Sequence, residues 1–315
     1  MSMSSFESSG GFFHKPVMAT EVVAVVSAVP SGVVLDATVG AGGHASAILE
    51  SRPDLDLVGL DQDPNALDAA GRTLAPYGRR VSLHRTRFDR LGETLDKAGV
   101  VSLVSFLFDL GVSSPQLDHG HRGFSYRNDG PLDMRMDPDG QLTADEVVNG
   151  YQRSELALVL RRNADERFAT RIADAIAAAR PLKTTTALSA VVAGAIPAAA
   201  RRRGGHPAKR TFQAIRIEVN SELTVLEPAI SQALKLLCTG GRGMVLTYHS
   251  GEDRIVKNLF RSVSETNDPQ GMPVRVSKPE FTMLRPLAAR ADERERAENP
   301  RSSGARLRVI ERLAA

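Results

Sequence analysis

Val33-Val-Leu-Asp-Ala-Thr-Val-Gly-Ala-Gly-Gly-His44 decides the fold of this chain. A short apolar run ends in the acid Asp36, a glycine turn follows, and Ala45–Leu49 begins a helical pattern. Strand, glycine turn and helix in that order open a nucleotide-type α/β fold. Gly40 and Gly42 let the backbone bend and approach a ligand with no Cβ in the way. The next apolar run, Leu55-Asp-Leu-Val-Gly-Leu60, ends at Asp61. An acid roughly 20 residues past the glycines can accept both hydroxyls of a ribose. On pattern alone, Gly40-x-Gly42-x-x-Ala45 also fits a dinucleotide loop. Asp36, closing the first strand, suits a cation better than a pyrophosphate and points to S-adenosylmethionine (SAM). A glycine turn with no ligand is the plainer reading of the same residues.

With 315 residues the chain can bury a large core, as one big domain or two. Its 42% apolar and 24% charged fractions are those of an ordinary soluble protein, and no apolar stretch is long enough to span a bilayer. The Ser- and Gly-rich first 13 residues lack the basic start and apolar core of a signal peptide and read as a loose tail. The single cysteine, Cys238, excludes an internal disulfide and fits a reducing cytoplasm. Net charge is only +3, yet the basic residues are unevenly placed. Arg201, Arg202, Arg203, Lys209, Arg210 and Arg216 fall in a window with no acid until Glu218. Such a cluster is either a solvated face or a phosphate-binding surface of the kind that meets RNA.

Along the chain, Glu21 to Ala28 reads as a helix stopped by Pro30. Asp63-Pro64 opens another to about Leu74, and Val81–His84 is a third strand with Phe88 at its end. Phe88 either stacks on an adenine or fills core. Val101 to Leu110 is a largely apolar fourth strand of the buried parallel type, followed by Asp109-Leu-Gly-Val-Ser-Ser-Pro-Gln116. The ends of strands one, two and four therefore converge on one crevice. More than ninety residues without a good strand follow. They hold a Thr143-x-x-Glu146 capping box, a helix over Asp165–Arg180, and one capped by Thr186. This predicts two parts: a core of 1–117 and 210–315, and an inserted α-helical domain, 118–209, for RNA or substrate recognition. Phe212 to Leu237 keeps helical spacing, with a kink or break expected at Pro228. Gly243–His249 reads as strand five, and Arg275–Val276, Phe281–Leu284 and Ala305–Ile310 as the last strands.

Several stretches go beyond a generic SAM fold. They are Asp36–His44, Asp109-Leu-Gly-Val-Ser-Ser-Pro-Gln-Leu-Asp118, Arg122-Gly-Phe-Ser125 and Gly130-Pro-Leu-Asp-Met-Arg-Met-Asp137. Further on come His206-Pro-Ala-x-Arg-Thr-Phe-Gln-Ala-x-Arg216, His249-Ser-x-Glu-Asp-Arg-Ile-Val-Lys257 and Asn299-Pro-Arg-Ser302. From His14 to about Arg312 the chain resembles the bacterial small-subunit ribosomal RNA cytosine-N4 methyltransferases, the RsmH/MraW family. The resemblance implies a Rossmann-like, seven-stranded SAM-dependent methyltransferase core with an α-helical insertion. It implies methylation of the exocyclic N4 of one cytosine in the decoding region of 16S rRNA, within the small ribosomal subunit, in the cytoplasm. It places Gly42, Gly43 and His44 at the methionine end of SAM, Asp61 at the ribose and Phe88 near the adenine. Asp109 and Gln116 complete the pocket. Gly251 stands where the family usually has Leu, and Ser303-Gly-Ala-Arg306 where Ser-Ala-Lys is usual. Oligomeric state stays open, a homodimer included.

Cytosine N4 is a poor nucleophile because its lone pair is delocalised into the ring. Acceptors must hold the amine so that the lone pair turns toward the methyl group, and positioning supplies much of the rate. Asp109, Ser113 and Ser114 occupy the place of such acceptors; the alternative reading of Asp109 is that it only orders the loop and cofactor. Methylation at C5 would need a cysteine nucleophile, and Cys238 reads instead as a small buried residue. His249 with Glu252 and Asp253 reads as a base, a metal pair or a hydrogen-bonded structural residue. No spaced Cys/His cluster suggests zinc, and no metal is expected. Two other classes compete with a methyltransferase. One is a nicotinamide-dependent oxidoreductase on the same glycine loop, the other a catalytically silent RNA-binding assembly factor.

Overall fold

The apolar run ending at Asp36 becomes β1 (Gly32–Asp36), flanked in parallel by β2 (Leu55–Asp61) and β4 (Leu103–Asp109). The computed structural model describes residues 16–112, 116, 120–201, 205–265, 278–286 and 288–314. With β3 (Val81–Arg85), β5 (Leu237–Thr247), β6 (Phe281–Met283) and β7 (Arg306–Arg312), the strands make one seven-stranded sheet in the order β3-β2-β1-β4-β5-β7-β6. All pairs are parallel except β5 with β7 and β7 with β6. The Rossmann-like α/β class read from the sequence is the observed one.

Alternation along β4 shows why this strand is apolar throughout. Phe106 and Phe108 point to one face and Leu107 to the other, a register shift before Ser105 puts Val104 on the side of Leu107, and both faces are covered. On the first face lie α4 (Leu91–Lys97), with Leu91 and Leu95, and two later helices described below. On the second lie Val22 and Val26 of α1 (Ala19–Val26) and Ile48 of α2 (Gly43–Ser51). A smaller cluster packs Ala45 and Leu49 of α2 against Ala70 and Leu74 of α3 (Pro64–Leu74), whose start is fixed by the expected Asp63 cap and Pro64.

Between β4 and β5 the chain builds a separate apolar cluster. Its helices are α5 (Arg153–Ala164), α6 (Ala169–Ala178), α7 (Thr185–Ala195), the short α8 (Ala198–Arg201) and α9 (Lys209–Asn220). Leu156, Ile172, Leu188, Phe212 and Ile215 meet in its centre. That core takes residues from α9, so the packed unit runs past residue 209, where the sequence suggested its edge. Helix α5 was not expected; its weak stripe (Leu156, Val159, Leu160, Asn163) is interrupted by arginines at the solvent face. Thr184 rather than Thr186 caps α7, while Thr186 hydrogen-bonds Asp129. The Thr143–Glu146 box forms as expected.

Helix α10 (Glu222–Leu236) and α11 (Ser250–Ser264) complete the first face with Leu226, Ile230, Val256 and Phe260. Pro228 does not end the helix: it lies inside α10, and the break in the chain comes at Ser221, left-handed at φ 55°. Arg216 grips Glu222 bidentately across that turn at 2.8 and 2.9 Å, which stabilises the corner. Strand β5 also starts six residues earlier than Gly243, because Leu237 already pairs with Leu103. Helix α12 (Glu293–Glu298) precedes β7, and the expected strand at Arg275–Val276 lies outside the described residues. Among the described residues no helix is long and apolar enough to cross a membrane.

Candidate active site

Asp36, Asp61 and Asp109 are the last residues of β1, β2 and β4, so parallel pairing sets three carboxylates at one end of the sheet. The strand order reverses here: the chain runs from β1 outward through β2 to β3, then crosses back to β4 on the other side of β1. Crevices at such switch points are where open α/β sheets bind ligands. Gly42, at φ 84°, turns the loop into α2. Gly43 has no room for a side chain, since a Cβ would lie 2.7 Å from Pro16 Cγ.

Hydrogen bonds lock the acids to this loop. Asp61 accepts the Gly40 N–H on Oδ2 at 3.0 Å and the Asp63 N–H on Oδ1 at 2.9 Å. Asp36 Oδ1 accepts the Thr38 N–H at 3.2 Å, and Thr38 Oγ1 accepts the Asp109 N–H at 2.7 Å. The Tyr248 hydroxyl donates to Asp109 Oδ1 at 2.6 Å. His44 Nε2 stands 3.4 Å from Asp109 Oδ2, within ion-pair range but outside hydrogen-bond geometry.

The electrostatics of this group call for a cation. Burial pushes the Asp36 carboxyl up to about 7; His44 and the Thr38 N–H oppose this, and Asp109 and Asp61 add to it. Burial likewise raises Asp61 to about 6, against the N–H groups of Asp63, Gly40 and Gln62. Burial disfavours a charged His44, yet Asp109, then Asp36 and Glu295, outweigh it and raise its pKa. The Tyr248 phenol is raised as well, by burial and by Asp109. Both ring nitrogens of His44 are buried without a hydrogen-bond partner. An orphaned buried polar atom costs about 1–3 kcal/mol, and a polar ligand group beside it would remove that cost. A cationic ligand with polar substituents fits these residues, whereas a pyrophosphate would meet three acids.

Other expected site residues are placed as follows. Phe88 is half-buried after β3 and sets its ring edge-on to Phe108, 5.6 Å between centroids, so one side serves the core. Gln116 is buried and donates to Asp63 Oδ2 at 3.1 Å, beside the Arg122 guanidinium at 2.9 Å on the same oxygen. It thus reaches the crevice wall two residues past Asp61. Ser113, Ser114, Arg202 and Arg203 lie outside the described residues. Arg201, Lys209 and Arg210 are exposed, away from the three acids in sequence and in element, and Arg210 also reaches the Asp165 carbonyl at 3.3 Å.

The His249 motif is structural. His249 Nδ1 caps α11 through the Gly251 and Glu252 N–H groups, while Glu252 Oε2 takes the Tyr248 and His249 N–H groups. Asp253 clamps Arg306 and Arg308 of β7, each at 2.8 Å. Gly251 sits in the first turn of that capped helix, so its departure from the family pattern leaves the turn well held. Cys238 begins β5 at the opposite end of the sheet, roughly 20–25 Å from Leu246, the residue that pairs with Asp109. Tyr248, Asp63 and Arg122 were not singled out from sequence. Tyr248 had one available signal: it follows the strand that must lie beside strand four.

A doubly wound seven-stranded sheet, antiparallel at β7, with an acid-lined glycine loop at its switch point, defines a Rossmann-like methyltransferase. The chain belongs to the MraW methylase family, whose sequence profile matches residues 11–313. It is 53% identical over 284 residues to the ribosomal RNA small subunit methyltransferase H of Mycobacterium sp. (strain KMS), covering 90% of this chain and 77% of that one. The protein of the same name from Thermobifida fusca (strain YX) is 48% identical over 307 residues, 95% of this chain and 93% of its own. Among solved structures, an rRNA methylase from Streptococcus thermophilus aligns over 97% of this chain and all of its own, with a TM-score of 0.43 and 11% identity. That distance is too great to bear on chemistry.

Proposed function

We propose that this chain transfers a methyl group from SAM to the exocyclic N4 of a cytosine in the decoding region of 16S rRNA. The observation that carries this reading is the convergence of Asp36, Asp61 and Asp109 on the Gly40–His44 loop. Membership of a methylase family supports the reaction, and relatives named as small-subunit rRNA methyltransferases support the substrate class.

SAM supplies, when bound, a methyl group activated on a sulfonium. The chain's own residues do the rest. Gly42, Gly43 and His44 hold the methionine end, where α2 offers the free N–H groups of its first turn. Asp61 binds the ribose with the lone pairs left by Gly40 and Asp63, and Phe88 and Gln116 border the pocket. Of the two roles the sequence left open for Asp109, the N4 acceptor is the one taken here: its N–H and Oδ1 are tied to Thr38 and Tyr248, and the side of Oδ2 accepts an N4–H. Ser113 and Ser114 assist it in turning the amine lone pair toward the methyl. The same three acids disfavour a nicotinamide dinucleotide, and an assembly factor without catalysis would have no use for so costly a cluster of buried carboxylates.

The helical unit between β4 and β5 recognises RNA, with Arg201, Arg202, Arg203, Lys209 and Arg210 meeting phosphates. The test is methyl transfer from labelled SAM to small subunits lacking the modification, followed by nuclease digestion and mass spectrometry. N4-methylcytidine is the expected product. No transfer, or a methyl group on another atom, overturns the reading.

A further inference from the structure

Away from the acids, Tyr126 and His206 lie ring on ring, 4.4 Å between centroids and 20° between planes. Tyr126 belongs to the loop after Arg122, and His206 stands just before α9, so the stack joins the entry and exit of the helical unit. Its geometry is fixed from several sides. Phe212 meets the Tyr126 ring edge-on at 5.9 Å and 81°, and His206 Nδ1 accepts the Ala208 N–H at 3.3 Å. Yet both rings are only half-buried. A cation adjoins the Tyr126 ring, with the Arg127 guanidinium carbon 5.7 Å from its centre, and exposed Lys209 follows three residues after His206, its backbone N–H bonded to the His206 carbonyl at 3.0 Å.

Four residues separate Tyr126 from Arg122, whose guanidinium holds Asp63 at the crevice wall. Even fully extended, that segment spans about 14 Å, so the stack stands within a short reach of the crevice. An enzyme that modifies a base needs it out of the stack, so its RNA substrate is single-stranded or opened at that place, and the flanking unpaired bases there present bare π-faces. Rigid aromatic rings beside cations are what such bases stack on, whatever their sequence.

We propose that the Tyr126–His206 stack is a platform for an unpaired RNA base next to the target, with Arg127 and Lys209 taking the adjoining phosphates. This rests on the reading that the substrate is RNA. A stack that merely pinned the loop to α9 would gain nothing from half-exposed rings flanked by cations, because Phe212 already anchors Tyr126 from the core.

The chain has no tryptophan, so His206→Trp introduces a single fluorophore that keeps an aromatic surface on the platform. Emission should be quenched on adding small subunits that lack the methyl group. His206→Ala should weaken binding to the same subunits roughly 5- to 150-fold, the range of one lost base stack, with unchanged SAM affinity and a cooperative folding transition retained. Unquenched emission at saturating subunit, or full RNA affinity in His206→Ala, overturns the platform. Retained N4 methylation with either of those results fails the platform alone. Quenching and the affinity loss without any methyl transfer by the unaltered protein would fail the proposed reaction and uphold the platform.

Discussion

Asp109, the proposed acceptor for the substrate amine, is held on both sides, by the Tyr248 hydroxyl on one oxygen and the His44 ring near the other. Tyr248→Phe removes one charge-assisted hydrogen bond while keeping the ring. Such a bond contributes about 1.5–3 kcal/mol, so kcat should fall roughly 10- to 150-fold at saturating SAM. A kcat within twofold of the original would show that Tyr248 only packs. The buried acids set a pH dependence whose sign can be worked out. Asp36 keeps its proton up to about 7 and Asp61 up to about 6, whereas both ordinarily lose it near 3.8. The folded chain therefore binds more protons than the unfolded one across that window. Their contribution to stability is full below about pH 4 and lost as pH rises through 6 to 7. A bound cation prefers ionised carboxylates, so SAM affinity runs the other way, rising to a plateau above about pH 7. Calorimetric titration in buffers of different ionisation enthalpy should detect proton release on binding near neutrality. Affinity independent of pH, with no proton released, would remove Asp36 from the cation site.

Elements differ in how openly the sequence announced them. Strands β1, β2 and β4 are largely buried on both faces, and their mostly apolar runs, each closed by an acid, made them legible as parallel strands. The corner between α9 and α10 was hidden, because apolar spacing from Phe212 to Leu234 runs across it in register. Its determinant is Ser221 in a left-handed conformation, a backbone choice that hydrophobic periodicity does not record. The motif after β5 was legible as a pattern but not as a purpose. His249, Glu252 and Asp253 resemble a catalytic set, yet each is occupied in capping α11 or in joining it to β7. Burial opposes the charge on Asp253, but Arg308 and Arg306 hold its carboxyl below the usual range, so this clamp is present above the ordinary carboxylate pKa and lost as pH falls through the lowered one. Asp253→Ala should cost about 3 kcal/mol, the scale for breaking a buried ion pair, and lower the melting temperature. Turnover per folded molecule should stay within a few-fold of the original. An unchanged melting temperature combined with lost turnover would return Asp253 to the chemistry.

The whole molecule separates its parts by the direction of its strands. Everything proposed for methyl transfer gathers at the carboxyl end of the parallel strands, while Cys238, the only cysteine, starts β5 at the other end. The sheet and its crevice were legible because local patterns dictate them. Tyr248 was not, since its bond to Asp109 joins residues 139 apart in the chain. That separation of ends yields the last prediction. Methylation at a ring carbon of cytosine requires a thiolate to add covalently to the base, and no motion short of unfolding brings Cys238 across roughly 20–25 Å of strand. An exocyclic amine needs no such adduct, only an acceptor that orients it. Cys238→Ser should therefore keep full activity, while Asp109→Ala should lose most of it. If Asp109 acts mainly through the cofactor, its loss raises the SAM concentration needed for half-maximal rate. If it holds N4, kcat falls even with SAM saturating, and the second pattern is the expected one. Finding 5-methylcytidine in the digested RNA, together with an inactive Cys238→Ser, would contradict both the amine chemistry and the placement of the site at this end of the sheet.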